Sequence, residues 1–329
     1  MHDQVEAGET GDDAARADPA GPGREEITAA AHRVAPYVRH TPVIALEPAW
    51  RGVPGSVVLK LELLQHTGSF KPRGALNRIL DAAVPASGVI AASGGNHGLG
   101  VAYAARALGH RAEVFVPETT SRVKIDRLHE LGADVVVTGT YYADALSASE
   151  RRVEETGALV VHAYDQPDVV AGQGTVGREL DDDAPGLDTV VVAVGGGGLM
   201  AGITSWFAGS VHVVAVEPEG APTLHHALAA GHPVDVDVAG LAADSLGARR
   251  IGSIAYAVAR RHRVESVLVT DDAIASAQRA LWTDLHVMAE PGGAAAVAAL
   301  VAGVYVPAGG ERVGVVVCGG NVDPATVTR

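Results

Sequence analysis

Residues 189–199 read TVVVAVGGGGL, in which an apolar run passes directly into four successive glycines. A continuously apolar strand is typical of a parallel sheet that is covered on both faces. Four glycines cost conformational entropy, which makes sense if bare backbone amides must close around a phosphate where a helix begins. The run lacks the GxGxxG spacing of dinucleotide sites and the GK[ST] ending of ATP-binding loops. It therefore favours a small phosphorylated cofactor.

On both sides of this stretch, short Val- and Ile-rich runs alternate with Ala-rich segments of helical period. The other predicted strands are residues 57–61, 89–92, 112–116, 135–137, 159–161, 211–216 and 313–317, and the clearest predicted helices are residues 96–108, 121–131, 141–156 and 271–285. Apolar strands separated by helices predict an α/β fold with parallel sheets. Glycines and short polar loops follow the strands, where ligands of open α/β sheets bind.

The loop TGSFKPRGA, residues 67–75, holds a lysine between an aromatic residue and a proline. Pro72 suits the first turn of a helix, which places Lys71 at a helix N-terminus. The helix dipole disfavours a cation there, so the amine is shifted toward its neutral, nucleophilic form. From this loop alone, a solvated surface lysine is the more common alternative.

Two further loops follow predicted strands. SGGNHG, residues 93–98, can direct backbone amides at an anion, and Asn96 can donate to a phenolate or carbonyl oxygen. An ordinary strand-to-helix turn capped by Asn96 explains the same residues, and His97 is better read as a hydrogen-bonded structural histidine than as a base. In VCGGNVD, residues 317–323, Cys318 can face a heterocycle nitrogen, although a lone cysteine is usually a small buried hydrophobe.

The 329-residue chain has a formal net charge of -14, which argues against nucleic acid or an anionic membrane as the main partner. Its single cysteine excludes a disulfide framework and fits a cytoplasmic location. Residues 1–23 carry six acidic side chains against one arginine and predict a disordered acidic tail. The uncharged stretches 190–208 and 291–310 contain glycine runs, which suit buried strand-turn-helix units better than membrane spans.

Taken in chain order, the four loops resemble those of the fold-type II pyridoxal-phosphate enzymes, the tryptophan synthase β-like fold, over about residues 41–323. Within that family the chain is most similar to the threonine/serine dehydratases (ammonia-lyases) and serine racemases, through GSFKPRGA (68–75), AGQGT (171–175) and EPGGA (290–294). The resemblance implies two open parallel α/β domains with pyridoxal 5'-phosphate between them. Residues 24–86 and 164–329 would form the large domain and residues 87–163 the small one.

Carried over to this sequence, the family pattern makes Lys71 the catalytic lysine that forms a Schiff base with the cofactor. It assigns cofactor contacts to Phe70 beside the ring, Asn96 at the ring oxygen, Cys318 at the ring nitrogen and, around the phosphate, the amides of Gly195, Gly196, Gly197, Gly198 and Leu199. It assigns the substrate carboxylate to Ser93, Gly94, Gly95, Asn96 and His97. The substrate side chain is expected near Tyr164, residues 245–247 and Glu290.

The sequence departs from the family pattern at two informative positions. Racemases carry a second serine where Gly94 stands, so racemisation is the weaker interpretation. Relatives that bind a divalent cation use an acidic pair; Glu217 matches its first member but Thr223 occupies the second position, so no metal site is predicted with it. The chain ends soon after Asp323, and feedback through a C-terminal regulatory domain is not expected.

The sequence thus predicts an ammonia-lyase that converts an L-β-hydroxy amino acid, threonine or serine, to a 2-oxo acid and ammonia, and the resemblance implies a homodimer. Ser245 stands where many threonine dehydratases have glycine, so 3-hydroxyaspartate or phenylserine is an alternative substrate. Racemisation and β-replacement on the same fold rank lower. A catalytically inert phosphate-ligand-binding protein is the alternative from another class, and the combination of Lys71, Asn96 and the glycine run argues against it.

Overall fold

The computed structural model describes residues 21–327 and contains two sheets with helices packed against them. The strands are β1 (Val43–Ala45), β2 (Ser56–Lys60), β3 (Val89–Ala92), β4 (Ala112–Val116), β5 (Asp134–Val137), β6 (Leu159–Val160), β7 (Thr189–Ala193), β8 (His212–Pro218), β9 (Glu265–Val269) and β10 (Arg312–Val316). All eight predicted strands are present. β1 and β9 were not predicted.

The helices alternate with these strands, as the predicted fold class requires. They are α1 (Arg24–Val34), α2 (Lys71–Leu80), α3 (Asn96–Ala107), α4 (Arg122–Glu130), α5 (Tyr142–Thr156), α6 (Pro167–Asp183), α7 (Gly198–Phe207), α8 (Thr223–Ala230), α9 (Ala243–Leu246), α10 (Ser253–His262), α11 (Asp271–Leu285), α12 (Pro291–Val301) and α13 (Pro324–Val327). Three 3-10 turns lie at Trp50–Gly52, Glu62–Leu64 and His66–Gly68.

The larger sheet has the order β1-β2-β10-β7-β8-β9, and the smaller has the order β5-β4-β3-β6. Every pairing is parallel except that of β1 with β2, which adds one antiparallel edge strand. The central strands β3 and β7 are buried along their whole length, which is why they read as unbroken apolar runs. The four strands of the smaller sheet all lie within residues 87–163, and the chain returns from them through α6 to β7.

Helices α6 and α7 pack against each other through close backbone contacts. A Cβ on Gly202 of α7 would lie 2.4 Å from the backbone nitrogen of Gly174 in α6, so glycine is required where these helices meet. The predicted acidic tail lies outside the described residues up to residue 20. Its last residues are described: Pro22 is buried, and Gly23 precedes α1.

Candidate active site

One cavity brings together residues from loops that are far apart in the sequence. It lies at the carboxyl ends of strands of the larger sheet, where β7 runs into the glycine run and β10 into the loop of Cys318. Its lining residues are Phe70, Lys71, Asn96, Tyr164, Ala193, Gly195, Gly196, Gly197, Gly198, Leu199, Ser245, Leu246, Glu290, Gly292 and Cys318. Every residue predicted to contact the cofactor is among them.

Lys71 is the first residue of α2, as the position of Pro72 predicted. The loop before it is held against the Cys318 loop, because the Phe70 amide donates to the Cys318 carbonyl oxygen at 3.2 Å. Lys71 Nζ donates to the carbonyl oxygen of Ala163 at 2.7 Å. Burial lowers the pKa of Lys71 to about 8, since desolvation disfavours the cation. The predicted shift toward a neutral amine is therefore present, but its main cause is burial rather than the helix dipole.

The glycine run turns sharply between β7 and α7, and Gly197 has a φ of 85° at the N-cap of α7. A Cβ on Gly196 would lie 2.2 Å from the ring of Tyr164, so any side chain there would displace that ring. The run is braced from behind by Thr223, whose hydroxyl oxygen is 2.7 Å from the carbonyl oxygen of Gly195. The first amides of α7 are left to bind an anion, because a helix N-terminus has no internal partners for them.

Glu217, the weak metal candidate, is fully buried and surrounded by protein donors. Its carboxylate lies within hydrogen-bond distance of the Thr223 hydroxyl (3.0 Å), the backbone amides of Leu224 (2.7 Å) and His225 (2.8 Å), and the Ser266 hydroxyl (3.4 Å). A carboxylate offers about four acceptor sites; the two amides and the Ser266 hydroxyl occupy three, and the Thr223 hydroxyl hydrogen is shared with the Gly195 carbonyl oxygen. Burial raises the pKa of Glu217 to about 7. Glu217 thus caps α8 and, through Thr223, supports the glycine run.

Asn96, Glu290 and Cys318 lie together on another side of the cavity. Asn96 Nδ2 donates to Glu290 Oε1 at 2.6 Å, and burial raises the pKa of Glu290 to about 7. Burial, with Glu290 nearby, also raises the pKa of the Cys318 thiol to about 12, so the thiol is neutral. The thiol donates to the Gly292 carbonyl oxygen at 3.4 Å. Cys318 is therefore no nucleophile, in agreement with the sequence argument.

Only part of the loop predicted to bind the substrate carboxylate lines the cavity. Asn96 lines the cavity, whereas Ser93, Gly94, Gly95 and His97 are outside its lining set. Ser93 Oγ accepts from the Gly95 amide at 3.2 Å. His97 is buried, with Nε2 2.8 Å from the Val161 carbonyl oxygen, and burial lowers its pKa to about 3. This is the structural role anticipated for His97; carboxylate binding by the loop stays a prediction.

The family of pyridoxal-phosphate dependent enzymes matches the chain over residues 34–319. The chain belongs to this family. Among the relatives of this pyridoxal-phosphate dependent enzyme, the phenylserine dehydratase of Ralstonia pickettii is 40% identical over 90% of the chain and 92% of its own length. The L-threonine ammonia-lyase of Thermotoga maritima is 38% identical over 84% of the chain and 69% of its own length.

A solved structure of maize serine racemase, 31% identical, superposes with a TM-score of 0.87 and covers 94% of the chain and 96% of its own. These matches confirm the family, the fold-type II fold class and the cofactor that were predicted from the sequence.

The residues of the cavity fit pyridoxal phosphate on structural grounds. A buried amine of lowered pKa faces the same space as a glycine run whose backbone amides open a helix. Lys71 would bind the aldehyde carbon, the amides of residues 195–199 the phosphate, and Phe70, Asn96 and Cys318 the ring. When bound, the cofactor withdraws electrons from the substrate Cα.

Sequence reasoning missed two residues that shape the site. Asn321 donates to Asn96 Oδ1 at 2.7 Å, and its place three residues after Cys318 was the signal available. The Ala163 carbonyl had no sequence signal. In the part of the chain that the structure describes, no group of three or more His, Cys, Asp or Glu could hold a metal ion. Over residues 21–327 there is also no helix long and apolar enough to span a membrane.

Proposed function

We propose that this enzyme is an ammonia-lyase that removes water and then ammonia from L-threonine or L-serine. The observation that carries this proposal is that Lys71 is the single amine among the residues that line the cavity. One base beside the cofactor can remove the Cα proton from one face of the substrate. Inversion needs a second group on the opposite face, and residue 94 is a glycine with no proton to give. Elimination needs only this one base.

Different side chains have different roles in this mechanism. Lys71 Nζ, once released by the substrate amine, takes the Cα proton; its pKa of about 8 keeps a useful fraction neutral near pH 7. The neutral Cys318 thiol would place no negative charge at the ring nitrogen of the bound cofactor. The glycine-run amides would hold the phosphate, which would supply an acid for the departing hydroxyl. Tyr164, whose ring packs against Gly196, lines the same cavity.

Phenylserine is the second candidate substrate, for two reasons. The relative from Ralstonia pickettii is named for it and matches nearly full length. In addition, Tyr164 presents an aromatic ring to the cavity, and aromatic side chains favour each other as neighbours. 3-Hydroxyaspartate is less well supported, because its second carboxylate would need a cation and Lys71 is the one cation in the lining set. Racemisation and β-replacement remain lower-ranked alternatives.

The deciding experiment measures 2-oxo acid release from L-serine, L-threonine, 3-hydroxyaspartate and phenylserine with the cofactor-loaded enzyme. We expect threonine or serine to give the highest kcat/KM, and Lys71→Ala to abolish release while still binding the cofactor non-covalently. If phenylserine gives the highest kcat/KM, phenylserine replaces threonine and serine as the proposed substrate. Tyr164→Leu should then lower phenylserine turnover more than threonine turnover.

No release from any of the four amino acids by a yellow, cofactor-loaded enzyme would reject the lyase assignment. A product assay with an added thiol would then test β-replacement. Full activity of Lys71→Ala would also contradict the mechanism. A colourless protein that fails to take up pyridoxal phosphate would support the inert binding protein instead.

We also propose a cytoplasmic homodimer, by analogy with the family resemblance. Light scattering of the purified protein gives the mass directly, and a monomer would overturn the dimer.

A further inference from the structure

Four polar side chains form a continuous hydrogen-bonded chain from the surface to the cavity. Arg127 Nη1 on α4 donates to Asn321 Oδ1 at 3.1 Å. Asn321 Nδ2 donates to Asn96 Oδ1 at 2.7 Å and also to the Thr67 carbonyl oxygen at 2.7 Å. Asn96 Nδ2 then donates to Glu290 Oε1 at 2.6 Å. This hydrogen-bonded chain therefore joins a helix beside the smaller sheet to the loop that follows β10.

The direction of every bond in this chain is fixed by its ends. A guanidinium carries only donors, so the Asn321 atom that faces Arg127 must be the oxygen. A backbone carbonyl only accepts, so the Asn321 atom that faces Thr67 must be the nitrogen. Asn321 can then meet Asn96 only as a donor. Asn96 must present its oxygen to Asn321 and its NH2 group to Glu290.

This fixed polarity decides what Asn96 offers to the cavity. Its NH2 group has two hydrogens, and the bond to Glu290 uses one. The second is left for a ligand in the cavity that Asn96 lines. If the amide were turned over, the oxygen would take that place and repel an anionic ring oxygen. An unconstrained asparagine could adopt either orientation at little cost.

We propose that Arg127 and Asn321 are positioning residues that hold the Asn96 amide as a hydrogen-bond donor toward the ring oxygen of pyridoxal phosphate. They act through Asn96 and touch neither the cofactor nor the substrate. The arrangement keeps that oxygen in its anionic form, because a donor stabilises an anion and an acceptor does not. The proposal concerns the cofactor and is measured without substrate, so a wrong choice of amino-acid substrate leaves it intact.

The test is the absorbance spectrum of the holoenzyme in the absence of substrate. The lysine-bound cofactor absorbs at long wavelength when its ring oxygen is anionic and in the near ultraviolet when that oxygen is protonated. In Asn321→Leu, which changes no charge, the ratio of the long- to the short-wavelength band should fall about threefold to tenfold, as expected for one lost hydrogen bond. Arg127→Met should shift the ratio in the same direction, and Arg127→Lys, which keeps a donor, should restore it.

Asn77 provides a matched control for loss of a buried asparagine. It is fully buried, accepts from Arg33 Nε at 2.9 Å and donates to the Asp168 carbonyl oxygen at 2.7 Å, so it repeats the bonding pattern of Asn321 away from the cavity. Asn77→Leu should lower the melting temperature and leave the band ratio unchanged.

Two results would overturn the proposal: an unchanged band ratio in Asn321→Leu, or an equal shift in Asn77→Leu. If Asn321→Leu does not fold, the exposed Arg127 still gives the answer. Equal ratios in Arg127→Met and Arg127→Lys would then reject the positioning role.

Discussion

Replacement of Thr223 by valine removes the hydroxyl that braces the glycine run and keeps the shape of the side chain. Thr223 is fully buried, and its Oγ1 lies 2.7 Å from the Gly195 carbonyl oxygen and 3.0 Å from Glu217 Oε1. One hydroxyl hydrogen serves these two acceptors, so its loss leaves a buried acceptor without a donor, which costs about 1–3 kcal/mol. If about 1.4 kcal/mol of this cost falls on the ordered glycine run, cofactor affinity decreases about tenfold.

The assay titrates the cofactor-free protein with pyridoxal phosphate and, separately, with pyridoxal, which lacks the phosphate. We expect Thr223→Val to weaken binding of the first and to leave binding of the second unchanged, because the brace acts on the phosphate-binding amides. Thr204→Val is the matched control, since Thr204 is buried on α7 and its hydroxyl bonds to the Met200 sulfur at 3.5 Å. Equal losses for both ligands, or the same loss in Thr204→Val, would refute the reasoning.

Three further predictions follow from buried groups. In the cofactor-free protein the pKa of Lys71 is about 8 rather than 10.5, so between these pH values the folded state binds fewer protons than the unfolded state. The free energy of unfolding, measured by urea titration relative to Lys71→Met, should therefore rise with pH across this window by up to about 3 kcal/mol. A difference between the two proteins that does not change with pH would contradict the lowered pKa. Arg73→Met should lower the free energy of unfolding by about 3–5 kcal/mol in the same assay, because it leaves the buried carboxylate of Glu62 without its charged partner. A loss below about 1 kcal/mol would contradict this role of the ion pair. Gly94→Ser should add racemase activity, measured by chiral chromatography, because serine supplies a second proton donor. The serine can be accommodated, since the methyl group 2.8 Å from its Cβ belongs to the side chain of Thr120, which can turn away. Unchanged stereochemistry would argue against a role for residue 94.

The strands that the sequence did not predict are the two outer strands of the larger sheet. β1 has three residues and is defined by its antiparallel pairing with β2. β9 begins with a glutamate, and its first four residues are partly exposed, so it lacks the continuous apolar pattern of β7. An edge strand is buried on fewer sides, and its identity depends on a neighbour that local sequence does not reveal. Central strands carry their burial in their own composition, which is why β3 and β7 were recognisable.

The site shows the same division between local and tertiary information. The glycine run and Lys71 were predictable, because a helix start and a glycine-rich turn after a strand are local features. The cause of the low Lys71 pKa was not, since the burial of its amine depends on distant parts of the chain. The orientation of the Asn96 amide was equally hidden, because Arg127 and Asn321 fix it through contacts across more than 190 residues of sequence.

The two buried glutamates show why burial and a raised pKa are insufficient to identify a reactive acid. Glu217 and Glu290 both have pKa values of about 7 because burial disfavours their charged forms. Glu217 has hydrogen-bond donors from four residues around it, so its oxygens are committed to α8 and the glycine run. Among the described residues, the Glu290 side chain accepts a hydrogen bond from Asn96 alone, and it lines the cavity. A change in the charge of Glu290 therefore acts directly on the Asn96 amide at the cavity, whereas a change at Glu217 must act through the backbone of the loop.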